Sequence, residues 1–145
     1  MREILFRGKS KTNGEWYVGS LEKYTNEMPS GREEHFKIVE TTYGFTENSP
    51  FDFFCDYMSG FDEEVIPETV GQYTGLCDKN GNKIFEGDIV KGTTTQLHDF
   101  VKEVIYEEGF AGYSPFAEYD TEYEEYVIAE RCEVIGNKID NNLED

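Results

Sequence analysis

Apolar and polar residues alternate over short stretches of this chain, the period-two pattern of half-buried strands. Ile4 and Phe6, then Trp16 and Val18, give residues 3–8 and 15–20 a candidate buried face each, with Asn13-Gly14 in the loop between. Leu21 to Gly31 is polar, and Met28-Pro29-Ser30-Gly31 marks a loop. Phe36, Ile38 and Val39 predict a third strand over His35 to Tyr43, and Asn48 to Pro50 breaks it. Phe51 to Gly60 mixes four aromatics with acids and Cys55, a pattern open to a short helix or to an irregular packed segment. Phe61 to Glu68 reads as an acidic connector. Pro67 places a boundary there between an N-terminal β-rich subdomain, 1–65, and a C-terminal one, 66–145.

The second half opens on the most informative stretch, Val70 to Lys91, VGQYTGLCDKNGNKIFEGDIVK. β-formers in Gln72 to Leu76 precede Asp78-Lys79-Asn80-Gly81-Asn82, whose Asn-Gly pair predicts a hairpin with a type I′ turn. Ile84 and Phe85 restart the apolar run, Glu86-Gly87-Asp88 predicts a second tight bend, and Ile89-Val90 begins another strand. Phe100 to Glu107 reads as one strand with two useful faces, and Tyr119 to Ala129 as a strand pair or one bulged strand, irregular near Glu124-Glu125. Glu133 to Ile139 reads as the closing strand, and Asn141 to Asp145 as a frayed end. Short strands with turns so close together suit a small, partly open barrel.

The same residues carry a family resemblance. Gln72, Tyr73, Thr74, Gly75, Leu76, Asp78, Asn80, Gly81, Glu86, Gly87, Asp88, Ile89 and Val90, with Glu133 to Asn137 near the end, resemble the YopX family. Ile4-Leu5-Phe6-Arg7-Gly8 before Gly14-Glu15-Trp16-Tyr17 is similar to that family's opening hairpin. Roughly half of the chain is covered; residues 21–65 and 93–130 depart from the pattern. The resemblance implies a small protein encoded by a phage or prophage of Gram-positive bacteria, mainly β, with an SH3-like C-terminal part. It implies no activity.

Composition sharpens the picture. Of 145 residues 37% are hydrophobic, and the 11 Phe and 10 Tyr make the available core largely aromatic, which favours pleated surfaces over helices. No apolar run approaches the roughly 20 residues that span a bilayer, and the first residues lack the apolar core of a signal peptide. Cys55, Cys77 and Cys132 are odd in number and far apart, unlike a secreted disulfide framework, so reduced thiols in a cytoplasmic protein are expected. Charge is uneven. Residues 1–37 hold seven bases and six acids, whereas residues 38–145 hold six and 25, or −19 of a total −18. That field repels phosphates and anionic membranes and favours basic partners or plain solubility. Arg7, Lys9 and Lys11 form a small basic face or flank a turn.

Candidate chemistry is sparse. Gly8-Lys9-Ser10 ends like a phosphate-binding loop but has Glu3 where the first glycine belongs. Asp78, Asn80 and Asn82 mimic the start of a calcium loop, but Lys83 and Ile89 occupy the positions of its glycine and glutamate. His35, His98 and the cysteines lack zinc-ligand spacing, and nothing local activates a thiol. No catalytic residue, metal or cofactor is expected. The remaining feature is an acidic stripe, Glu118, Asp120, Glu122, Glu124 and Glu125, interleaved with tyrosines. On one strand the alternate carboxylates would stand about 6.4–6.8 Å apart on one face, with Tyr119 and Tyr123 packed on the other. The stripe is either a solvated outer face or a docking surface. The expected function is therefore a non-enzymatic protein-interaction module, binding a host or phage protein with a basic surface or a second copy of itself. The alternative is an acidic imitation of DNA that inhibits a host nucleic-acid-binding enzyme.

Overall fold

The structure is a computed structural model, and it describes residues 3–44, 57–109 and 111–141. Among them the chain is mainly β, built from antiparallel pairs, with one short helix and no sheet closed into a barrel. It forms two compact units, Leu5–Val70 and the residues from Gly71 onward, the latter joined by the start of the chain. No helix among the described residues is long and apolar enough to cross a membrane.

In the first unit β1 (Phe6–Lys9), β2 (Trp16–Met28), β3 (Gly31–Gly44) and β4 (Tyr57–Val65) pair in sequence order. Ile38 stands opposite Leu21 on β2 and Glu63 on β4, and Ile38 and Val65 are fully buried. The sheet curls until the end of β4 returns to β1. The Ile66 amide donates to the Lys9 carbonyl at 2.8 Å and the Lys11 amide to the Glu64 carbonyl at 3.1 Å. Small residues permit that curl. A Cβ on Gly8 would lie 2.8 Å from the Val65 side chain, and one on Gly19 would lie 2.5 Å from the Val39 carbonyl oxygen. Of the expected inward residues, Val18 is exposed and Ile4 is 63% exposed. The face that Val18 shares with Trp16 is the outer one, where the Arg7 guanidinium sits 4.8 Å and the Lys9 ammonium 5.8 Å from the Trp16 ring.

Two expectations for this unit are corrected. The polar stretch after Leu21 is strand: β2 runs to Met28, and Pro29-Ser30 turns the chain tightly into β3. Beyond Phe36 these two strands pair only with each other, as a ribbon that is exposed on both faces past the half-buried Tyr24–His35 pair. Its rungs are polar, with Lys23–Glu34 at 3.0 Å, Arg32–Glu27 at 3.3 Å and Tyr24 stacked on His35. With no face to bury it has no apolar alternation to display. The acidic connector after Phe61 is also strand, the C-terminal part of β4, whose carboxylates face cations. Asp62 takes Lys37 at 2.9 Å, and Glu64 takes Lys11 at 3.1 Å. Those hydrogen bonds set the Lys37 ammonium above its usual range, Asp62 being the main cause. They set Glu64 below its own, His35 first and Lys11 next. Pro67–Thr69 follows as a 3-10 turn. The aromatic segment before Tyr57 lies outside the described residues.

In the second unit β5 (Gly71–Cys77) and β6 (Lys83–Phe85) form the expected hairpin. Then β7 (Asp88–Thr93) pairs with β8 (Asp99–Glu103) on one side and β13 (Glu133–Asn137) on the other. Between them β9 (Ile105–Glu107) pairs with β10 (Gly112–Ser114), and β11 (Tyr119–Asp120) with β12 (Glu125–Tyr126). Helix α1 is a single turn, Lys138–Asn141. The core gathers Ile84, Val90, Val104, Ala129 and Cys132, with Phe100, Phe116, Val127 and Val134 against it. Each fully buried aliphatic contributes about 1.5–3 kcal/mol over exposure. The single strand expected over Phe100 to Glu107 is two, because Val104 leaves the ladder for this core while its amide bonds the Asp88 carbonyl.

Candidate functional site

The segment that carries the family resemblance is structural. Asp78 is 4% exposed, and its carboxylate accepts the amides of Asn80 and Asn82 at 2.9 Å and that of Val134, on β13, at 3.0 Å. Burial pushes this carboxyl up, but the three amides outweigh burial and hold it below the usual carboxylate range. The Lys79 amide reaches the Cys132 carbonyl, so the turn is pinned to the end of the chain at two points. The turn is not type I′. Gly81 has φ +81° and Asn80 has no positive φ. The Gly81 amide bonds the Asp78 carbonyl, and the Asp78 amide bonds the Asn82 carbonyl. That is a type I turn closed by a glycine bulge, and the Asp78 side chain selects it by capturing the Asn80 amide. At Glu86-Gly87-Asp88 the expected bend is present, with Gly87 at φ +92° and the Asp88 carboxylate accepting the Phe85 amide at 2.8 Å.

Other candidate groups are likewise engaged. Ser10 Oγ donates to Glu63 at 2.6 Å and accepts the amides of Thr12 and Asn13, which makes Gly8-Lys9-Ser10 the corner of a hairpin. His35 Nδ1 lies 2.6 Å from Glu64, and His98 Nδ1 lies 2.7 Å from Glu125. Among the described residues no three His, Cys, Asp or Glu side chains are placed to hold a metal ion. Cys77 and Cys132 are free thiols. Burial, with Asp78 adding to it, pushes the Cys132 thiol up and away from the thiolate a nucleophile needs. Cys77 Sγ lies 3.4 Å from the Tyr73 hydroxyl, and that bond, with burial, sets the phenol at about 12.

The acidic stripe is a hairpin rather than one strand. Tyr119 pairs with Tyr126 and Asp120 with Glu125, and the four residues 121–124 reverse the chain. Asp120 makes the reversal: its Oδ1 accepts the amides of Glu122 at 2.9 Å and Tyr123 at 3.1 Å, and Glu124 takes φ +51°. The irregularity expected near Glu124 is this turn. The single-faced row of carboxylates therefore does not exist, and the tyrosines do not pack inward. Tyr119, Tyr123 and Tyr126 are 57%, 59% and 46% exposed, the first and last stacked at 6.1 Å between ring centres.

The five carboxylates divide by role. Glu118 accepts the Ser114 hydroxyl at 2.6 Å, and Asp120 builds the turn. Glu125 ties the hairpin down, accepting Thr94 Oγ1 at 2.6 Å and meeting His98 Nδ1 at 2.7 Å. The Thr94 bond chiefly, with His98 and against burial, holds Glu125 below its usual range. Glu122 and Glu124 are exposed, and their carboxylates make no hydrogen bond or ion pair among the described residues. Beneath the hairpin, the Tyr126 amide bonds Thr95 Oγ1 and the Thr95 amide bonds the Tyr126 carbonyl. The turn that offers these groups also presents Leu97, 77% exposed at φ +63°, and His98, whose ring meets Tyr123 edge-on at 6.5 Å. Leu97 carries no sequence signal, because a single apolar residue in a polar turn has no periodicity, and His98, weighed in the sequence as a metal ligand, instead meets Glu125 and Tyr123. Residues 103–130 hold nine acids and no Lys or Arg, and Lys102 brings a cation to a small pocket that it lines with Glu118, Asp120 and Glu125 at the foot of the hairpin.

A family model described as YopX protein matches residues 5–143. The match takes in 21–65 and 93–130, where the chain shows none of the motifs quoted above. No curated protein matches the sequence.

Proposed function

The chain belongs to the YopX family, and from that premise we propose a non-catalytic accessory protein, encoded by a phage or prophage, that docks another protein on the tyrosine–carboxylate hairpin. One observation carries this reading. Three tyrosines stand about half exposed beside two carboxylates that have no partner among the described residues, on a hairpin anchored from below by Glu125 and the Thr95 backbone. Aromatic rings held rigidly in water lose little conformational entropy when a partner covers them, so their burial converts efficiently into affinity. Stacked tyrosines flanked by Glu122 and Glu124 suit a basic surface, since an arginine guanidinium both stacks on a phenol ring and pairs with a carboxylate. Direct nucleic-acid binding runs against the charge, and imitation of DNA has only the net charge behind it, the regular row of carboxylates having dissolved into a turn. The unbridged Cys77 and Cys132 favour a reducing compartment, the cytoplasm of the host cell.

The test is photo-crosslinking in cells that carry the gene. With benzoylphenylalanine in place of Tyr123, irradiation should yield a discrete protein adduct that disappears when Glu122 and Glu124 are also changed to lysine. The same photoreactive residue at exposed Thr12 should yield none. Equal yields at both positions would defeat the proposal.

A further inference from the structure

From Gly71 onward the chain contains six basic residues, Lys79, Lys83, Lys91, Lys102, Arg131 and Lys138. Three of them, Lys79, Lys91 and Arg131, line one groove of about 570 Å3 together with Phe100 and Val101. Asp99 and Glu133 lie on its wall as well. Glu133 is engaged by Lys79 at 3.5 Å, whereas Lys91 and Arg131 meet no carboxylate within ion-pair distance among the described residues. Two unpaired cations beside Val101, which is 59% exposed, are out of place in a chain with 31 acids. They complement a ligand that is both acidic and aromatic.

The hairpin loop of this same chain has that chemistry, with Glu122 and Glu124 on either side of Tyr123. Groove and hairpin also share a foundation. Thr93 and Asp99 line the groove, while Thr94, Thr95 and His98, in the turn between those two residues, hold the hairpin. A surface that carries a shape and its complement side by side is suited to a two-fold pair, in which each contact is made twice.

The geometry points to a second copy of this chain as the occupant of the groove: the Tyr123 loop of each copy sits between Lys91 and Arg131 of the other, its ring against Phe100 and Val101. The inference rests on the hairpin being a docking surface and names its partner. Two molecules of charge −18 repel at long range while these contacts attract at short range. The Debye length falls from about 30 Å at 0.01 M salt to about 8 Å at 0.15 M. Association is therefore weak in very dilute salt, strongest near physiological ionic strength and weak again in concentrated salt.

Sedimentation of the full-length chain across ionic strength tests this. The wild type should form a dimer of twice 16.8 kDa near physiological salt. A groove variant, Lys91→Glu with Arg131→Glu, and a hairpin variant, Glu122→Lys with Glu124→Lys, should each weaken association at least about tenfold, the loss of one charge pair's worth of affinity. All four positions are exposed, and near-ultraviolet dichroism checks that the variants fold. Mixing the two variants should restore the dimer, because each then offers the charge that the other lacks. A wild type that stays monomeric throughout, a dimer that survives either reversal, or a mixture that stays monomeric would overturn the inference. The broader reading fails separately: a monomeric chain whose Tyr123 position still cross-links a different protein loses only the second copy as partner.

Discussion

Asp78 shows how one buried carboxylate can set the geometry of a whole turn. It sits in a hairpin loop, yet it also accepts the Val134 amide, 56 positions away. The depressed ionisation of this group gives its stabilisation a definite direction with pH. The contribution is complete above the unfolded-state value, near 3.9, and is lost as pH falls through the lower folded-state value. Asp78→Asn should cost about 2 kcal/mol at neutral pH, read from urea midpoints, because the Val134 amide then faces a neutral side chain. The variant should also show a flatter decline in stability toward acid than the wild type. A midpoint unchanged at neutral pH would mean that the Val134 amide is satisfied elsewhere. Residues of this kind were legible only in part. The turn chemistry of Asp78, Asn80 and Gly81 was visible, but the remote partner that makes the aspartate indispensable was not.

At the level of elements the informative cases are the strands that no alternation announced. β2 beyond Leu21 and the end of β4 carry polar residues because one belongs to a ribbon mostly bare on both sides and the other pairs its carboxylates with lysines across the ladder. Their existence follows from backbone pairing and the curl of the sheet. Gly19 is the test of that curl. An alanine Cβ there would lie 2.5 Å from the Val39 carbonyl oxygen and 3.2 Å from Ile38 Cγ2, and neither backbone nor core can yield cheaply. Gly19→Ala should cost about 3 kcal/mol in urea unfolding, whereas Ser20→Ala, one residue on and exposed, should stay within about 0.5 kcal/mol. Equal small effects would mean that the strands separate without penalty. The hairpin β11–β12 teaches the converse. Its alternating acids and tyrosines satisfied the strand pattern, yet Asp120 captured two amides and turned the chain.

For the whole molecule the dominant property is an excess of 18 negative charges that the fold only partly compensates. Ion pairs such as Arg32–Glu27 are largely exposed, and exposed pairs return little. Repulsion among the remaining acids should therefore depress stability in dilute salt, and added sodium chloride should raise the melting temperature by about 3 °C for each kcal/mol of repulsion relieved. A melting temperature independent of salt would show that the acids are spaced too widely to matter. On the function proposed above, the same field favours a basic protein surface, or the groove around Lys91 and Arg131, as the complement of the hairpin.

The sequence alone determined the mainly β character, the family, the hairpin and bend between Gly71 and Asp88, and the sign of the field, because each depends on local turn preference, residue type or a plain sum of charges. Tertiary structure decided which carboxylates are structural and which are available, where Val104 leaves its strand, and that the tyrosines face water. Those outcomes depend on hydrogen-bond partners tens of residues away, such as Thr94 for Glu125, and no local pattern encodes a distance between segments that only folding brings together.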